Sequence, residues 1–342
     1  MAKLQDVGLS SQAIKWFNSY LSPRYQTVRI DSAYSDFLPL SCGVPQGSSL
    51  GPLLFNIYIN DLPSIATSCS TQCYVDDTKL LLTFSLDNKE NAICKLNDDL
   101  SKISNWTFVN FLLLNPEKSN LVIFGSRAMT AKVGDFRLTL LGKELLPVDC
   151  AKDLGVMLDS NLTYRDHVES TVASGMSRLG QINRVKHAFN KDTLKILMNA
   201  LVFSKLYYCS NVWCNSTENN LNRIQAVQNF AGRILCDKKK YDHVTPILKQ
   251  LHWIPIRQQL YYRNEILAFK CMTGCAPEAL TSLFLQRSKI STRSTRNSQK
   301  LQIPLCKTAT GQRSFHYRTV SLWNGQDKIG RASCRERVCQ YV

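Results

Sequence analysis

Apolar residues recur at helical spacing in "SSQAIKWFNSYLS" (residues 10–22), where Ile14, Phe17 and Leu21 share a face and Ser10 or Ser11 can cap the first turn. Pro23 ends that element. The period then shortens. Residues 25–30 and 37–44 read as two strands joined by a polar turn. A helix with Pro52 near its first turn follows and runs to about Asn60, and Pro63 stops it. "CYVDDTKLLLTF" (73–84) reads as a β-hairpin with Asp76 and Asp77 at its bend. Residues 88–108 return to helical periodicity through Ile93, Leu96, Leu100 and Ile103. "FLLLN" and "SNLVIFG" are then expected as strands around the turn "NPEK". Further short strands, broken by Gly134, Gly142 and Pro147, are expected between Arg127 and Asp159.

The pattern changes near Leu162. Three long helices are predicted over 164–187, 191–209 and 217–236. In the last, Leu221, Ile224, Val227, Ala231 and Ile234 share a face, while Arg223 and Arg233 point elsewhere. Two more helices are expected after Pro246 and Pro255. Residues 286–300, "QRSKISTRSTRNSQK", have almost no apolar content and read as a basic linker. No internal repeat is found. Mixed strands and helices followed by helices alone give an α+β fold class.

At 342 residues the chain can form one large or two medium domains with real cores. Charge sharpens that division. Residues 1–127 hold 10 Lys+Arg and 11 Asp+Glu, a balance of −1, whereas the remainder holds 32 and 15, a balance of +17. Polyanions such as RNA or DNA are the natural partners of the second region; a merely soluble basic surface is the alternative. The N-terminus lacks a basic segment followed by a long apolar run, and no stretch of eighteen apolar residues occurs. A soluble, intracellular chain with no membrane partner is therefore expected. The 13 cysteines include pairs at x3 or x4 spacing (Cys69/Cys73, Cys209/Cys214, Cys271/Cys275), but no histidine pair at x3–5 spacing completes a zinc set. Most are expected to be reduced and buried.

Two adjacent carboxylates at a hairpin bend admit two readings. Asp favours turns because its side chain hydrogen-bonds the local backbone. A rigid, exposed pair of carboxylates also suits Mg²⁺, which takes hard oxygen ligands and keeps positions open for phosphate. Upstream, "CGVPQGSSLGPLLFNIYINDLP" (42–63) flanks Pro45 and Gln46 with glycines, so backbone can approach a ligand there. Downstream, "LNPEKS" (114–119) sets Lys118 at a turn, where a solvated lysine is the plain reading. "AKDLGVMLD" (151–159) follows.

This ordered set resembles the reverse transcriptases of non-LTR retrotransposons, in particular jockey-like and chicken-repeat-like elements. "GVPQGSSLGPLLFNIYINDLP" resembles the family's second palm motif, "YVDD" its metal-binding hairpin, "LNPEKS" the next motif, and "DLGVMLD" the primer-grip region, which usually reads "YLGV". The resemblance continues through "LYYCSNVW", "RIQAVQNFAGRIL" and "SLWN", to about Gly325. It implies a right-hand polymerase fold: a partial palm of antiparallel sheet with packed helices over residues 1–160, and a mostly α-helical thumb and C-terminal region over 161–285. The basic linker and a family segment at 301–328 complete it. By the same resemblance Asp76 and Asp77 would be the catalytic, metal-holding pair and Mg²⁺ the cofactor. Gly43, Pro45, Gln46, Gly47 and Lys118 would lie near nucleotide and template. Tyr74, Val75, Leu154 and Gly155 would contact the primer. The partners implied are an RNA template, an RNA–DNA or DNA duplex, and deoxynucleoside triphosphates. If the protein is made, a ribonucleoprotein in the nucleus or cytoplasm is implied.

The family's first palm motif donates another catalytic aspartate. Only 42 residues precede "GVPQGS", and Asp6, Asp31 and Asp36 do not sit in its apolar strand pattern. The expectation is an N-terminally truncated reverse transcriptase that is inactive alone. The alternatives are a non-catalytic nucleic-acid-binding module and a relic reading frame without function. "IGRASCRERV" (329–338) departs from the family and resembles the conceptual translation of a sequencing adapter, so 329–342 is expected to be an adapter-derived tail. The Lys238–Lys240 run suits phosphate contact or a solvated loop. The aromatic residues at 207–213 read as core rather than as a stacking platform for bases.

Overall fold

The computed structural model describes residues 1–290 and 298–325. Its chain divides into two compact units, 1–121 with 131–147, and 122–130 with 148 onward. The motif order places the boundary at residue 160.

The first unit opens with α1 (Ala2–Asp6) and α2 (Ser11–Leu21). Ser10 caps α2, its hydroxyl accepting from the Ala13 N–H at 3.3 Å. β1 (Arg24–Gln26) pairs antiparallel with β4 (Leu38–Leu40), enclosing the smaller hairpin of β2 (Arg29–Ile30) and β3 (Ala33–Tyr34). α3 (Gly51–Ile59) carries Pro52 in its first turn, where a missing N–H costs nothing. β5 (Ser70–Tyr74) and β6 (Asp77–Leu81) form the expected hairpin. α4 (Lys89–Val109) buries Ala92, Leu96, Asp99, Ile103 and Thr107 along one stripe. It packs against β7 (Leu138–Leu140), which pairs with β8 (Lys143–Leu145). The Asn97 side-chain oxygen accepts from the Thr139 N–H at 2.8 Å, and the Phe84 and Phe136 rings meet at 5.3 Å.

Three expectations need correction here. "FLLLN" is not a strand. The Phe111 and Leu112 N–H groups close the end of α4, donating to the carbonyls of Phe108 (3.1 Å) and Thr107 (2.8 Å), so they are not free for a ladder. Phe111 and Leu113 are consequently 90% and 89% exposed. In "SNLVIFG" only Leu121 makes a bridge, a parallel one to Pro147. Residues 127–133 form α5 (Arg127–Val133) instead of a strand. Ser126 supplies both its carbonyl and its hydroxyl to the first-turn amide of Met129.

In the second unit β9 (Cys150–Asp153) pairs antiparallel with β10 (Val156–Asp159). The Asp159 carboxylate accepts from the N–H groups of Asn161, Thr163 and Tyr164 at 2.7–3.2 Å, turning the chain into α6 (Arg165–Val185). The second long helix runs as α7 (Lys191–Met198), a π-turn segment (Asn199–Phe203) and α8 (Ser204–Tyr207). α9 (Ser210–Trp213) and α10 (Glu218–Leu235) follow, α10 capped by the Thr217 hydroxyl. Next come α11 (Val244–Gln250) and α12 (Ile256–Met272). Their apolar stripes form one core that includes Val168, Leu179, Met198, Leu206, Trp213, Ile224 and Leu260. A smaller cluster joins α12 to α16 (Phe315–Gly325) through Ala268, Cys271, Leu301 and Val320, with α13 (Glu278–Thr281), α14 (Arg287–Ile290) and α15 (Ala309–Gln312) between them in sequence. Within the proposed linker, α14 is helical and Gln286 bridges Leu301. Residues 291–297 and the proposed tail at 329–342 lie outside the described residues.

The architecture is thus mixed, with small antiparallel hairpins in both units and helices dominating the second. Among the described residues no helix is long and apolar enough to cross a membrane.

Candidate active site

The β5–β6 hairpin pairs Tyr74 with Asp77, leaving Val75 and Asp76 as a two-residue loop. Val75 has φ +55°, a left-handed conformation that a β-branched residue adopts only when its surroundings impose it. Both aspartates are exposed, and so are Tyr74 and Val75. Behind the turn, Cys73 Sγ lies 3.7 Å from Thr78 Oγ1. The hairpin therefore presents two adjacent carboxylates to solvent on a strained tip. Among the described residues no group of three or more His, Cys, Asp or Glu side chains comes together to hold a metal. The pair alone fits part of a Mg²⁺ donor set, because Mg²⁺ often takes one or two protein carboxylates and fills its octahedron with water and phosphate.

The loop "GVPQGSS" is held from outside by residues the sequence reading did not single out. Arg24 donates Nη2 to the carbonyls of Cys42 (3.1 Å) and Gly43 (2.5 Å), and Nε to that of Leu21 (2.9 Å). The Tyr20 hydroxyl meets Ser48 Oγ at 2.5 Å, and that oxygen accepts from the Leu50 N–H at 3.1 Å. Gly43 and Gly47 both have φ +80°, and an added Cβ would meet nothing within 4 Å at either. Gln46 and Gly47 are exposed, and Pro45 is half-buried. The loop's backbone is thus open to approach, as its glycines suggest.

Lys118 ends a 3₁₀ turn (Pro116–Lys118) and is exposed. The turn is built by Asn115, whose side-chain oxygen accepts from the Glu117 N–H at 3.0 Å. It is pinned by Lys143, which pairs with Glu117 at 2.7 Å.

Leu154 and Gly155 belong to the second unit and form the two-residue turn of β9–β10, with φ +43° and +85°. Tyr208 closes over them. Its hydroxyl donates to the Leu154 carbonyl at 2.8 Å, and a Cβ on Gly155 would fall 3.0 Å from Tyr208 Cε1. Position 155 therefore needs glycine for both conformation and space. In the same unit Trp213 is fully buried and donates Nε1–H to the Tyr208 carbonyl at 2.9 Å, so it is core, as expected. Tyr207 lies under the Arg263 guanidinium at 4.3 Å, and burial raises its phenol above the usual range. Tyr208 is half-exposed.

One further residue escaped the sequence reading. Asp99, fully buried on α4, accepts from the N–H groups of Thr67 (3.0 Å), Ser68 (2.9 Å) and Cys69 (2.9 Å), and from the Thr67 hydroxyl (3.3 Å). Lys102 Nζ approaches it at 3.4 Å. Burial pushes this carboxyl up, but the three backbone donors outweigh burial and hold it well below the usual carboxylate range. The neighbouring Cys69 thiol is pushed up to about 11 by burial and by Asp99. The signal was present in the sequence, since a charged residue shares the buried stripe with Leu96 and Ile103.

Comparison with known proteins agrees with the motif reading. Residues 1–158 match the family described as reverse transcriptase (RNA-dependent DNA polymerase). The chain is 28% identical over 254 residues to the "Probable RNA-directed DNA polymerase from transposon BS" of Drosophila melanogaster, covering 71% of this chain and 27% of that protein. It is 29% identical over 228 residues to the "Probable RNA-directed DNA polymerase from transposon X-element" of the same organism, covering 64% and 24%. It is 28% identical over 231 residues to the "RNA-directed DNA polymerase from mobile element jockey" of Drosophila funebris, covering 64% and 24%. The chain spans about a quarter of the length of these relatives. The resemblance to non-LTR retrotransposon reverse transcriptases is thereby borne out.

Proposed function

We propose that this chain is the part of an RNA-directed DNA polymerase that carries the aspartate hairpin and the duplex-holding helices, and that it does not extend a primer by itself. The observation that carries the reading is the β5–β6 hairpin. It offers Asp76 and Asp77 on an exposed two-residue turn, in sequence order between the open glycine loop at 43–47 and the Lys118 turn. Asp76 and Asp77 would hold Mg²⁺, which when bound would activate a 3′-hydroxyl and neutralise departing pyrophosphate. Tyr74 and Val75 would flank the primer terminus, with Leu154 and Gly155 supporting the primer strand. The exposed backbone around Gly43, Pro45, Gln46 and Gly47 would admit nucleotide and template, and Lys118 would approach the triphosphate.

Two-metal phosphoryl transfer needs more anionic ligand than one adjacent pair. No third acidic side chain joins Asp76 and Asp77 among the described residues. Misplacement of the reacting groups by about 1 Å alone costs on the order of a hundredfold in rate. Primer extension on an RNA template with Mg²⁺ or Mn²⁺ should therefore be undetectable with the 342-residue chain, and unaffected by Asp76→Ala. Supplying the upstream portion of a related polymerase should restore extension and make it depend on Asp76. Clear extension by the chain alone, abolished by Asp76→Ala, would show that another carboxylate completes the site.

A second reading, binding without catalysis, is favoured by charge. The second unit holds 30 basic and 13 acidic residues, +17, against 12 and 13 in the first. It would grip an RNA or RNA–DNA duplex by its phosphates, with little sequence preference.

A further inference from the structure

We infer that Asp99 is the positioning residue of the aspartate hairpin: from the inner stripe of α4 it fixes the root of β5, and through β5 the placement of Asp76 and Asp77. The inference rests on the reading of those two residues as the metal-holding pair, and deepens it.

Three observations on one carboxylate support it. Asp99 is fully buried, so leaving it unpaired would be costly; instead its two oxygens take all three consecutive N–H groups of Thr67, Ser68 and Cys69. Those residues immediately precede Ser70, where β5 begins. Asp99 is held on the buried stripe of a 21-residue helix, so the anchor point has little freedom. Lys102, one turn on, donates to the Thr67 hydroxyl at 2.8 Å and ties the same loop to the same helix.

The hairpin needs such an anchor. It is a two-stranded ladder of five pairs, from Ser70↔Leu81 to Tyr74↔Asp77, and among the described residues no third strand is hydrogen-bonded to it. Two-stranded ribbons are marginal alone, so what holds the root decides where the tip sits. From Ser70 to the turn is five residues of extended chain. A shift at 67–69 is carried along that ladder to the carboxylates, because register leaves no compensating slip without turning every side chain to the opposite face.

Asp99→Asn in the full chain separates this role from general stability. The amide nitrogen cannot accept, so whichever way the amide turns at least one of the three N–H groups loses its acceptor. Hydrogen exchange of residues 67–81 should accelerate at least tenfold in Asp99→Asn, with α6 and α10 unchanged. Mn²⁺ binding, followed by electron paramagnetic resonance, should weaken at least threefold while the helical content stays that of the parent. Asp76→Ala should weaken Mn²⁺ binding and leave exchange at 67–69 as it was.

Unchanged exchange at 67–81, or equal acceleration throughout the first unit, would overturn the inference. So would parental Mn²⁺ binding in Asp99→Asn where Asp76→Ala has lost it. If the parent and Asp76→Ala bind Mn²⁺ equally, the metal reading has failed, and the exchange measurement still decides the anchoring. Should Asp99→Asn not fold, Thr67→Val removes the hydroxyl donor from Asp99 Oδ1. A smaller acceleration confined to 67–74 supports the inference, and none at all refutes it.

Discussion

The two units solve the same burial problem differently. The second folds its apolar stripes into one core in which Val168, Leu179, Met198, Val202, Leu206, Trp213, Ile224 and Val227 are completely enclosed. The first combines helices with two-stranded hairpins and leaves Ile30 and Phe37 near its hairpins, and Phe108, Phe111 and Leu113 at and beyond the end of α4, 70–90% exposed. Helices satisfy their own backbone and need only a neighbouring stripe, whereas a hairpin leaves edges and one apolar face without partners. The polymerase-like motifs are concentrated in the loosely covered unit and the basic charge in the tightly packed one. On the proposed reading, chemistry would fall to the first unit and grip to the second.

The largest effect should come from Trp213. Trp213→Ala removes a fully enclosed ring and leaves the Tyr208 carbonyl without its donor, a loss of about 3–5 kcal/mol for the cavity alone. Denaturant unfolding followed by hydrogen exchange should show α6, α10 and α12 opening early while 67–109 keeps its protection. Parallel loss in both units would mean that they fold as one, and would break the comparison.

Next in size is the salt response of nucleic-acid binding. If about six phosphates are contacted, affinity for an RNA–DNA duplex should fall on the order of 10³-fold between about 50 and about 200 mM salt. Charge-neutralising substitutions in the second unit should flatten that slope, and those in the first should leave it alone. A flat salt dependence in the full chain would reject the grip reading.

The third effect is pH-dependent and belongs to the first unit. Asp99 has its carboxyl depressed in the folded chain, so the stability it confers is complete above the unfolded value of about 3.9 and is lost as pH falls through the lower folded value. Lys102 and Asp98 lie in the same ion-pair cluster. Cys69, whose thiol is pushed up to about 11, is neutral throughout this range. Acidification should therefore loosen 67–81 before α10, and Asp99→Asn should remove that difference. The N–H groups of 67–69 that lose their acceptor in Asp99→Asn make this worth about 1–3 kcal/mol above pH 5. Coincident acid transitions in both segments would count against it.

Much of this was legible in the sequence because the signals were local. Ser10 as a cap, Pro52 in a first turn, and the periodicity of 88–108 and 217–236 each depend on residues within one or two turns, and each element formed as expected. The hairpin at Asp76 was equally readable, since its turn lies between apolar runs. "FLLLN" was not, because its fate was decided at the end of α4. The helix takes the amides of Phe111 and Leu112, and no apolar pattern reveals that competition. The roles of Asp99, Arg24 and Tyr208 depend on partners 18 to 54 positions away. Only Asp99 left a trace, as a charge in an apolar stripe.

The smallest effect tests the β9–β10 turn. Two separate demands meet at Gly155. Its φ of +85° disfavours any side chain, at roughly 1 kcal/mol for alanine. The Tyr208 ring also stands where a Cβ would go, 3.0 Å from the ring edge. Gly155→Ala should therefore cost more than the conformational term, about 1.5–2.5 kcal/mol once the ring is pushed aside and its hydrogen bond to the Leu154 carbonyl stretched. Tyr208→Phe keeps the ring and removes only the half-exposed hydroxyl, at about 0.5–1 kcal/mol. Tyr208→Ser removes the obstruction. In that background Gly155→Ala should fall back to the conformational cost alone, a coupling of about 1 kcal/mol in a double-mutant cycle read from denaturant midpoints. Strict additivity of Gly155→Ala and Tyr208→Ser would mean that the ring does not restrain the turn, and that the turn's shape is set by its own two residues.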